Sequence, residues 1–183
     1  AAGDKAKCLY FTLIAADSML RGGGFQEALT ALERALTLAD DLGSAETVFA
    51  AIRDREAEAH LGLGQYDLAR ALLEQNASVY TSNGDTAGLN RVFQRLGDIF
   101  YTFEDLDQAQ TAYQRALELA QSIPDSARIA EALNSLGNVA FDLNQLNTAT
   151  QLYQASLSIS RAEGGRWGIA GSIAQDSETD DID

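Results

Sequence analysis

A repeat of about 40 residues is the feature that most constrains what this chain can fold into. The same small residue recurs at separations of 41, 40 and 40 residues, at Ala28, Ala69, Ala109 and Ala149. Residues that break helices recur with the same separations, at Gly43, Gly84, Pro124 and Gly164. Such self-similarity predicts copies of one small unit, each of which completes its core only by packing on its neighbours.

The first copy indicates what that unit is. Apolar residues recur every three or four positions from Lys5 to about Arg21, which is the spacing of one helical face. The glycines at 22–24 interrupt this pattern, and a second helix is expected from Phe25 to about Asp41. With a single proline in 183 residues, the composition also favours helix, so the predicted fold class is all-α.

The ends of the helices carry recognisable signals. Gly43 is placed to cap the C-terminus of the second helix. Ser44, Asp85 and Asp125 each follow one of the helix breakers, and each is expected to act as the N-cap of the next helix. Each boundary is therefore predicted to be a helix stop, a turn and a helix start.

The recurring residues resemble the tetratricopeptide repeat family. The third copy carries the family pattern at Leu96-Gly97, Phe100, Ala109, Tyr113 and Ala116-Leu117, and the fourth copy repeats most of it at Leu136-Gly137, Ala149 and Tyr153. The resemblance covers about residues 9 to 163, and the period is similar to that of the longer-helix variant of the family. It implies a right-handed α-α superhelix, a solenoid of four helix-turn-helix repeats.

The domain boundaries follow from the repeat. A single tetratricopeptide-repeat domain is expected over residues 1–174, with repeats at about 5–43, 44–84, 85–124 and 125–164. Residues 165–174 align with the first helix of a repeat and are expected to form a partial C-terminal capping helix. Residues 175–183 are acidic and poor in apolar side chains, which predicts a disordered tail.

The resemblance implies that the first helix of each repeat lines a concave groove. Reading the register across the repeats gives the candidate partner-binding residues Asp17, Asp54, Glu58, Arg91, Gln94, Asp98, Tyr101, Asn134, Asn138 and Phe141. They predict a continuous groove of peptide size, with an acidic N-terminal half, an amide pair in the C-terminal half and an apolar rail alongside.

Each part of the predicted groove has a functional and a structural interpretation. Asn134 and Asn138 are four residues apart, so their amides share a helix face and could hold a peptide backbone, or could simply be solvated. Tyr101 and Phe141 could supply apolar contact to a ligand, or could be buried between repeats. The acidic row could select lysine or arginine side chains, or could be an ordinary solvated face.

Charge narrows the class of partner. The net charge of −14 repels phosphate backbones and anionic lipid, so neither nucleic acid nor direct membrane insertion is expected. A protein or peptide, and in particular a basic one, suits this surface better. Self-association through an exposed end of the stack is also open.

Catalytic chemistry is not expected. His60 is the only histidine and Cys8 the only cysteine, so no histidine-based metal cluster can form. An ordinary structural hydrogen bond is expected for His60, and an apolar packing role for Cys8. The sequence therefore predicts no enzyme activity, no catalytic residue, no cofactor and no metal.

The favoured function is a non-enzymatic scaffold that binds a peptide segment of a partner in the groove. The alternative is a sensor or regulatory module of a larger bacterial signalling protein, transcription regulator or caspase-like protease. The expected compartment is the cytoplasm. Because the chain lacks an initiator methionine, a trimmed chain and a mature periplasmic or secreted form both remain open.

Overall fold

The computed structural model describes residues 2–162. Within that range the chain forms eight helices and no strand. The helices are α1 (Ala2–Arg21), α2 (Phe25–Asp41), α3 (Glu46–Gly62), α4 (Tyr66–Asn83), α5 (Thr86–Thr102), α6 (Leu106–Gln121), α7 (Ser126–Asp142) and α8 (Leu146–Ala162). The predicted all-α fold class is confirmed.

Consecutive helices pack in pairs, so each repeat is a helical hairpin. The second helices begin at Phe25, Tyr66, Leu106 and Leu146, which preserves the separations of 41, 40 and 40 residues found in the sequence. Contacts divide the chain into two units, Ala1–Asp85 and Thr86–Asp183. The described part of each unit contains two hairpins. The predicted cap at 165–174 and the predicted tail at 175–183 lie outside the described residues.

A residue with left-handed backbone closes the turn inside every hairpin. The four residues are Gly23, Gly64, Glu104 and Asn144, with φ angles of 77°, 70°, 59° and 58°. A side chain is unfavourable in this region because its Cβ approaches the backbone, which is why glycine is the usual choice. The first two hairpins use glycine here and the last two do not.

The predicted helix ends are correct at some boundaries and wrong at one. Gly43 and Gly84 have left-handed backbone at the ends of α2 and α4, as a C-terminal glycine should. Asp125 is the N-cap of α7, and its carboxylate accepts a hydrogen bond from the Arg128 backbone N–H at 3.3 Å. The prediction for Ser44 is wrong, because the N-cap of α3 is Ala45, which offers no side-chain bond.

A core cluster of the first unit lies between α1, α2 and α3. Leu32 and Ile52 are completely buried and pack with the small residues Ala16, Ala35 and Ala39. The alanines allow the helices to approach closely, so the larger side chains can fill the space between them. Burying a side chain of this size stabilises a fold by about 1.5–3 kcal/mol.

The core of the second unit follows the same plan with a larger aromatic contribution. Tyr113 and Leu117 from α6 pack against Ala132, Leu136 and Val139 from α7. Partly buried residues of α5 and α8, among them Phe100, Tyr101 and Leu152, complete the cluster.

Three of the hairpins also contain one buried polar link between their two helices. Asn76 donates to the Ala50 carbonyl at 2.9 Å, and Ser156 donates to the Ala130 carbonyl at 2.7 Å. In the third hairpin the direction is reversed, because Asn90 of the first helix donates to the Ala116 carbonyl of the second at 2.8 Å. The corresponding positions of the first hairpin, Leu9 and Ala35, are apolar.

Candidate functional site

The first helix of each hairpin carries the residues predicted to bind a partner. Asp17 belongs to α1, Asp54 and Glu58 belong to α3, and all three lie in the first unit. The other seven candidates belong to α5 and α7 of the second unit.

Asp17 already has a cationic partner within its unit. The Arg55 guanidinium donates through Nε to one carboxylate oxygen of Asp17 at 2.6 Å and through a terminal nitrogen to the other at 3.1 Å. Both side chains are only about one third exposed or less, at 33% and 28%. A two-point guanidinium–carboxylate pair holds both groups in a fixed orientation, so Asp17 does not present an isolated negative charge.

Asp54 is held by the second helix of its own hairpin. One carboxylate oxygen accepts from the Asn76 side-chain amide at 2.8 Å, and the other accepts from the Tyr80 hydroxyl at 2.6 Å. Arg53 in turn donates to the Asn76 side-chain oxygen at 3.0 Å. The structure thus ties Asp54 to α4, while the half-buried Glu58 also has an interaction partner.

A glycine and a tyrosine define the geometry of the second unit. Tyr113 of α6 packs on Gly97 of α5 so closely that a Cβ at Gly97 would overlap the ring. The tyrosine hydroxyl reaches past the glycine and donates to Asp98 at 2.8 Å. The glycine therefore brings a donor from the second helix to a polar residue on the first.

The fourth hairpin repeats this arrangement. Tyr153 of α8 packs on Gly137 of α7, and its hydroxyl donates to the side-chain oxygen of Asn138 at 2.8 Å. Since that bond fixes the carbonyl of the amide, the NH₂ group of Asn138 is the part left to donate to a ligand. Asp98 and Asn138 occupy the same register position, so one hairpin presents a carboxylate and the next presents an amide.

Asn134 lies one turn before Asn138 on α7. Its side chain is half-buried and makes no hydrogen bond within residues 2–162. An amide in that position can both donate to and accept from a peptide backbone. The structure therefore brings the two predicted asparagines together on one helix face.

Gln94 and Arg91 are less available to a ligand than the sequence predicted. Gln94 is only 8% exposed, and its amide donates to the Ser135 hydroxyl of α7 at 2.8 Å. Ser135 also bonds Tyr113, so these residues form a small network across α5, α6 and α7. Arg91 is half-buried and has an interaction partner of its own.

The two aromatic candidates lie in different surroundings. Tyr101 is half-buried against the core, and its hydroxyl donates to Asp142 at 2.5 Å. That hydrogen bond, together with burial, raises the pKa of Tyr101 to about 12. Phe141 remains 46% exposed. Of the pair, Phe141 offers a ligand the larger accessible apolar surface.

Two acids share the surface between α5 and α7. Asp98 and Glu131 both have a raised pKa, mainly because the surrounding protein desolvates their charged forms. Repulsion from Asp98 raises the pKa of Glu131 further, while Arg95 favours the charged forms of both. Both side chains remain accessible to solvent, so a cationic group from a ligand could reach them.

A separate concavity lies on the other side of α5. It has a volume of about 720 Å³ and is lined by Phe93, Leu96 and Phe100 of α5 and by polar residues of α6 such as Gln108 and Arg115. On a helix with 100° between successive residues, Phe93, Leu96 and Phe100 share a face opposite to Arg91, Gln94 and Asp98. The predicted binding surface and this concavity are therefore distinct.

The sequence interpretation missed the residues that orient the site. Tyr113 and Tyr153 were recognised as packing residues, but their hydroxyl bonds to Asp98 and Asn138 were not predicted. In each pair the two residues are 15 positions apart. The recurrence of this spacing in the third and fourth repeats is the signal that could have revealed the bonds.

Comparison with known proteins identifies the family. A model of the tetratricopeptide repeat matches residues 48–122 and 85–162, which together cover more than half of the chain. The chain belongs to the tetratricopeptide repeat family. Proteins built from this repeat hold other proteins, so a protein-interaction scaffold is the class of function that the family supports.

Two solved structures share the fold at low sequence identity. The crystal structure of BtubC (BKLC) from P. vanneervenii is 20% identical, with a TM-score of 0.74 over 88% of this chain and 70% of that chain. The MamA RS-1 ArsTM double mutant is 18% identical, with a TM-score of 0.59 over 87% of this chain and 77% of that chain. No curated protein matches the sequence.

Two other features concern residues 2–162. No helix there combines the length and apolar character needed to cross a bilayer. In the same residues, histidine, cysteine, aspartate and glutamate side chains do not gather into a group of three that could hold a metal ion. His60 is explained by a structural contact, with its Nδ1 atom 2.6 Å from the Gln65 side-chain oxygen.

Proposed function

We propose that this tetratricopeptide repeat protein binds an extended peptide segment of a partner protein on the surface formed by α5 and α7. The observation that carries the proposal is the asparagine pair on α7. Asn138 has its carbonyl held by Tyr153, and Asn134 has both ends of its amide available within the described residues.

An extended backbone offers a carbonyl and an N–H group at regular intervals. Residues i and i+4 of a helix lie about 6 Å apart along its axis, close to the length of two extended peptide units. Two amides at this spacing can each engage one backbone unit. Such contacts depend little on the peptide side chains, so they supply affinity without specifying a sequence.

Specificity then comes from the groups around the asparagines. The exposed ring of Phe141 offers apolar contact to a ligand side chain. Asp98 and Glu131 offer negative charge; because burial disfavours their charged forms and raises the pKa of each, a cation from a ligand would stabilise these carboxylates. With a net charge of −14 on the whole chain, these features favour a peptide that combines a basic and an apolar residue.

The test begins with selection of peptides from a displayed random library on the wild-type chain. Affinities of the selected peptides are then measured for a double variant, Asn134→Ala with Asn138→Ala. We expect the affinity to fall by about tenfold or more, since each lost hydrogen bond contributes roughly 1 kcal/mol. N-methylation of single peptide bonds in the ligand should reproduce part of the loss at one position, the N–H that donates to the Asn134 side-chain oxygen, because Asn138 can only donate.

The matched control is the double variant Asn83→Ala with Asn147→Ala, which removes two exposed asparagines from second helices. It should bind like the wild type, and circular dichroism should show the same helix content in all three proteins. Selected peptides that bind both double variants with wild-type affinity would contradict the amide clamp. Affinity that does not change with ionic strength would contradict the basic ligand.

A further inference from the structure

An exposed apolar stripe runs along α1, in the first unit. Tyr10, Phe11 and Ile14 are 62%, 64% and 45% exposed. The two rings contact each other edge to face, with centroids 5.5 Å apart. Large apolar side chains are seldom exposed together on one helix face unless that face binds a partner, because leaving apolar surface in water is unfavourable.

The repeat register shows what this face does elsewhere. Phe11 corresponds to Ile52 in the second repeat and to Ala132 in the fourth, and both are completely buried. Ile52 packs with Ala35 and Ala39 of α2, and Ala132 packs with residues of α6. This position therefore contacts the second helix of the preceding repeat, whereas in α1 it remains exposed.

The stripe on α1 is shorter than a complete face between repeats. Ser18 lies one turn beyond Ile14 and is exposed, while its counterparts Ala59 and Val139 are completely buried. Lys7 lies one turn before Phe11 and is also exposed. Polar residues at both ends limit the apolar contact to about one and a half turns, which suits a single helix that crosses α1.

We infer that α1 pairs with α1 of a second copy of this chain in an antiparallel contact. Phe11 and Ile14 of the stripe and the polar residues that flank them, Lys7 and Ser18, have spacings of four, three and four, so the pattern is symmetric about its centre. In an antiparallel pair, Phe11 faces Ile14 of the second copy, and Ile14 faces its Phe11. A two-fold contact of this kind uses one surface twice and therefore closes.

Charge favours the same orientation. In the antiparallel pair, Lys7 lies opposite Ser18 of the second copy, near the negative C-terminal end of the other helix. In a parallel pair, Lys7 would face Lys7. Lys5 already pairs with Asp41 of its own chain at 2.7 Å, so Lys7 is the lysine that this part of α1 offers to a second acidic copy.

The size of the stripe sets the strength of the contact. Three large side chains per copy bury much less than the roughly 800 Å² per partner of a stable complex. The dimer is therefore weak, with a dissociation constant of about 10 μM or higher. Each copy carries a net charge of −14, so added salt should strengthen the dimer by screening the repulsion between copies. The stripe belongs to α1 of the first unit, whereas the proposed peptide-binding surface belongs to α5 and α7 of the second.

Sedimentation velocity over a range of protein concentrations tests the dimer. The wild-type chain should sediment faster as its concentration rises, and Phe11→Glu should raise the dissociation constant at least about tenfold. Phe103→Glu is the matched control, because Phe103 is 61% exposed in the second unit. A wild-type chain that stays monomeric at every concentration, or equal effects of the two variants, would overturn the inference.

Disulfide formation tests the orientation. In a Cys8→Ser background, the variants Lys7→Cys and Ser18→Cys are oxidised separately and as a mixture, with circular dichroism to confirm folding. The mixture should give a disulfide-linked dimer that joins one of each variant, and Lys7→Cys alone should give little. Efficient linkage of Lys7→Cys alone would indicate a parallel pair, and dimers without linkage in any sample would indicate another surface. Either result would contradict the antiparallel contact.

Discussion

The two units place their glycines at different points of the same hairpin. In the Ala1–Asp85 unit, glycine occupies the turn, at Gly23 and Gly64, and alanine occupies the contact between the two helices, at Ala16 and Ala57. In the Thr86–Asp183 unit, glycine occupies the helix contact, at Gly97 and Gly137, and the turns contain Glu104 and Asn144.

The position of the glycine decides which side chain of the second helix can pack against the first. A missing Cβ lets the rings of Tyr113 and Tyr153 lie against the first helix and bring a hydroxyl to Asp98 and Asn138. The corresponding side chains of the first unit are leucines, which carry no donor, and its acids are held by Arg55, Asn76 and Tyr80 instead. One glycine position therefore couples close packing of the two helices to the orientation of Asp98 and Asn138.

The largest expected effect comes from a side chain placed at the helix contact of the second unit. Gly97→Ala should lower the free energy of unfolding by about 2 kcal/mol, because the new Cβ overlaps the Tyr113 ring and the helices must separate. Chemical denaturation followed by circular dichroism measures the change. Gly3→Ala is the control, since a Cβ at Gly3 has no neighbour within 4 Å and should be neutral or stabilising.

A second substitution, at Tyr113, tests whether the glycine and the tyrosine are energetically coupled. Adding Tyr113→Leu to Gly97→Ala gives the third hairpin the alanine–leucine pair of the second, Ala57 with Leu73. The double variant should recover much of the lost stability, although Tyr113→Leu alone opens a cavity and is destabilising. If the two losses simply add, the glycine and the tyrosine are not coupled as the structure indicates.

The sequence predicted the hairpins because their signal is repeated. Four copies of the same spacing identify helices, turns and small residues at the contacts, and no single residue decides the result. The repeat also placed the asparagine pair on one face of α7, since positions four apart on a helix always share a face.

Partners of polar side chains could not be predicted in the same way. Asp54 has an equivalent position in every repeat, yet its partners Asn76 and Tyr80 depend on how far apart α3 and α4 lie. Ser44 has the chemistry of an N-cap, but the helix begins one residue later than expected. Such details depend on distances between elements, which periodicity does not contain.

The turns supply the next prediction, of intermediate size. Glu104 has left-handed backbone with φ of 59°, so Glu104→Gly should raise the free energy of unfolding by about 0.5–1 kcal/mol. Gly64→Ala, at the equivalent turn of the first unit, should lower it by about 1 kcal/mol. Equal and small effects at both turns would mean that backbone conformation does not distinguish the two units.

The smallest effect is expected where the hairpins of the second unit differ in charge. Asp98→Asn gives the third hairpin the residue that the fourth has at Asn138, and the amide oxygen can still accept from Tyr113. Desolvation raises the pKa of Asp98 in the folded protein, so folding is less favourable when this carboxylate is charged. The variant should be more stable than the wild type at neutral pH, by less than about 1 kcal/mol because the side chain is accessible to solvent.

The pH dependence separates this cause from a change in packing. Because the folded-state pKa of Asp98 is raised, its contribution to stability is fully present below the unfolded-state value and is lost as the pH rises through the folded-state value. The advantage of Asp98→Asn should therefore be small near pH ~4 and grow towards pH ~7. Asn138→Asp, the reciprocal change in the fourth hairpin, should become more destabilising over the same range. If the differences in unfolding free energy between the variants and the wild type do not depend on pH, both effects come from packing. The carboxylate of the third hairpin would then have no electrostatic role in distinguishing the two repeats.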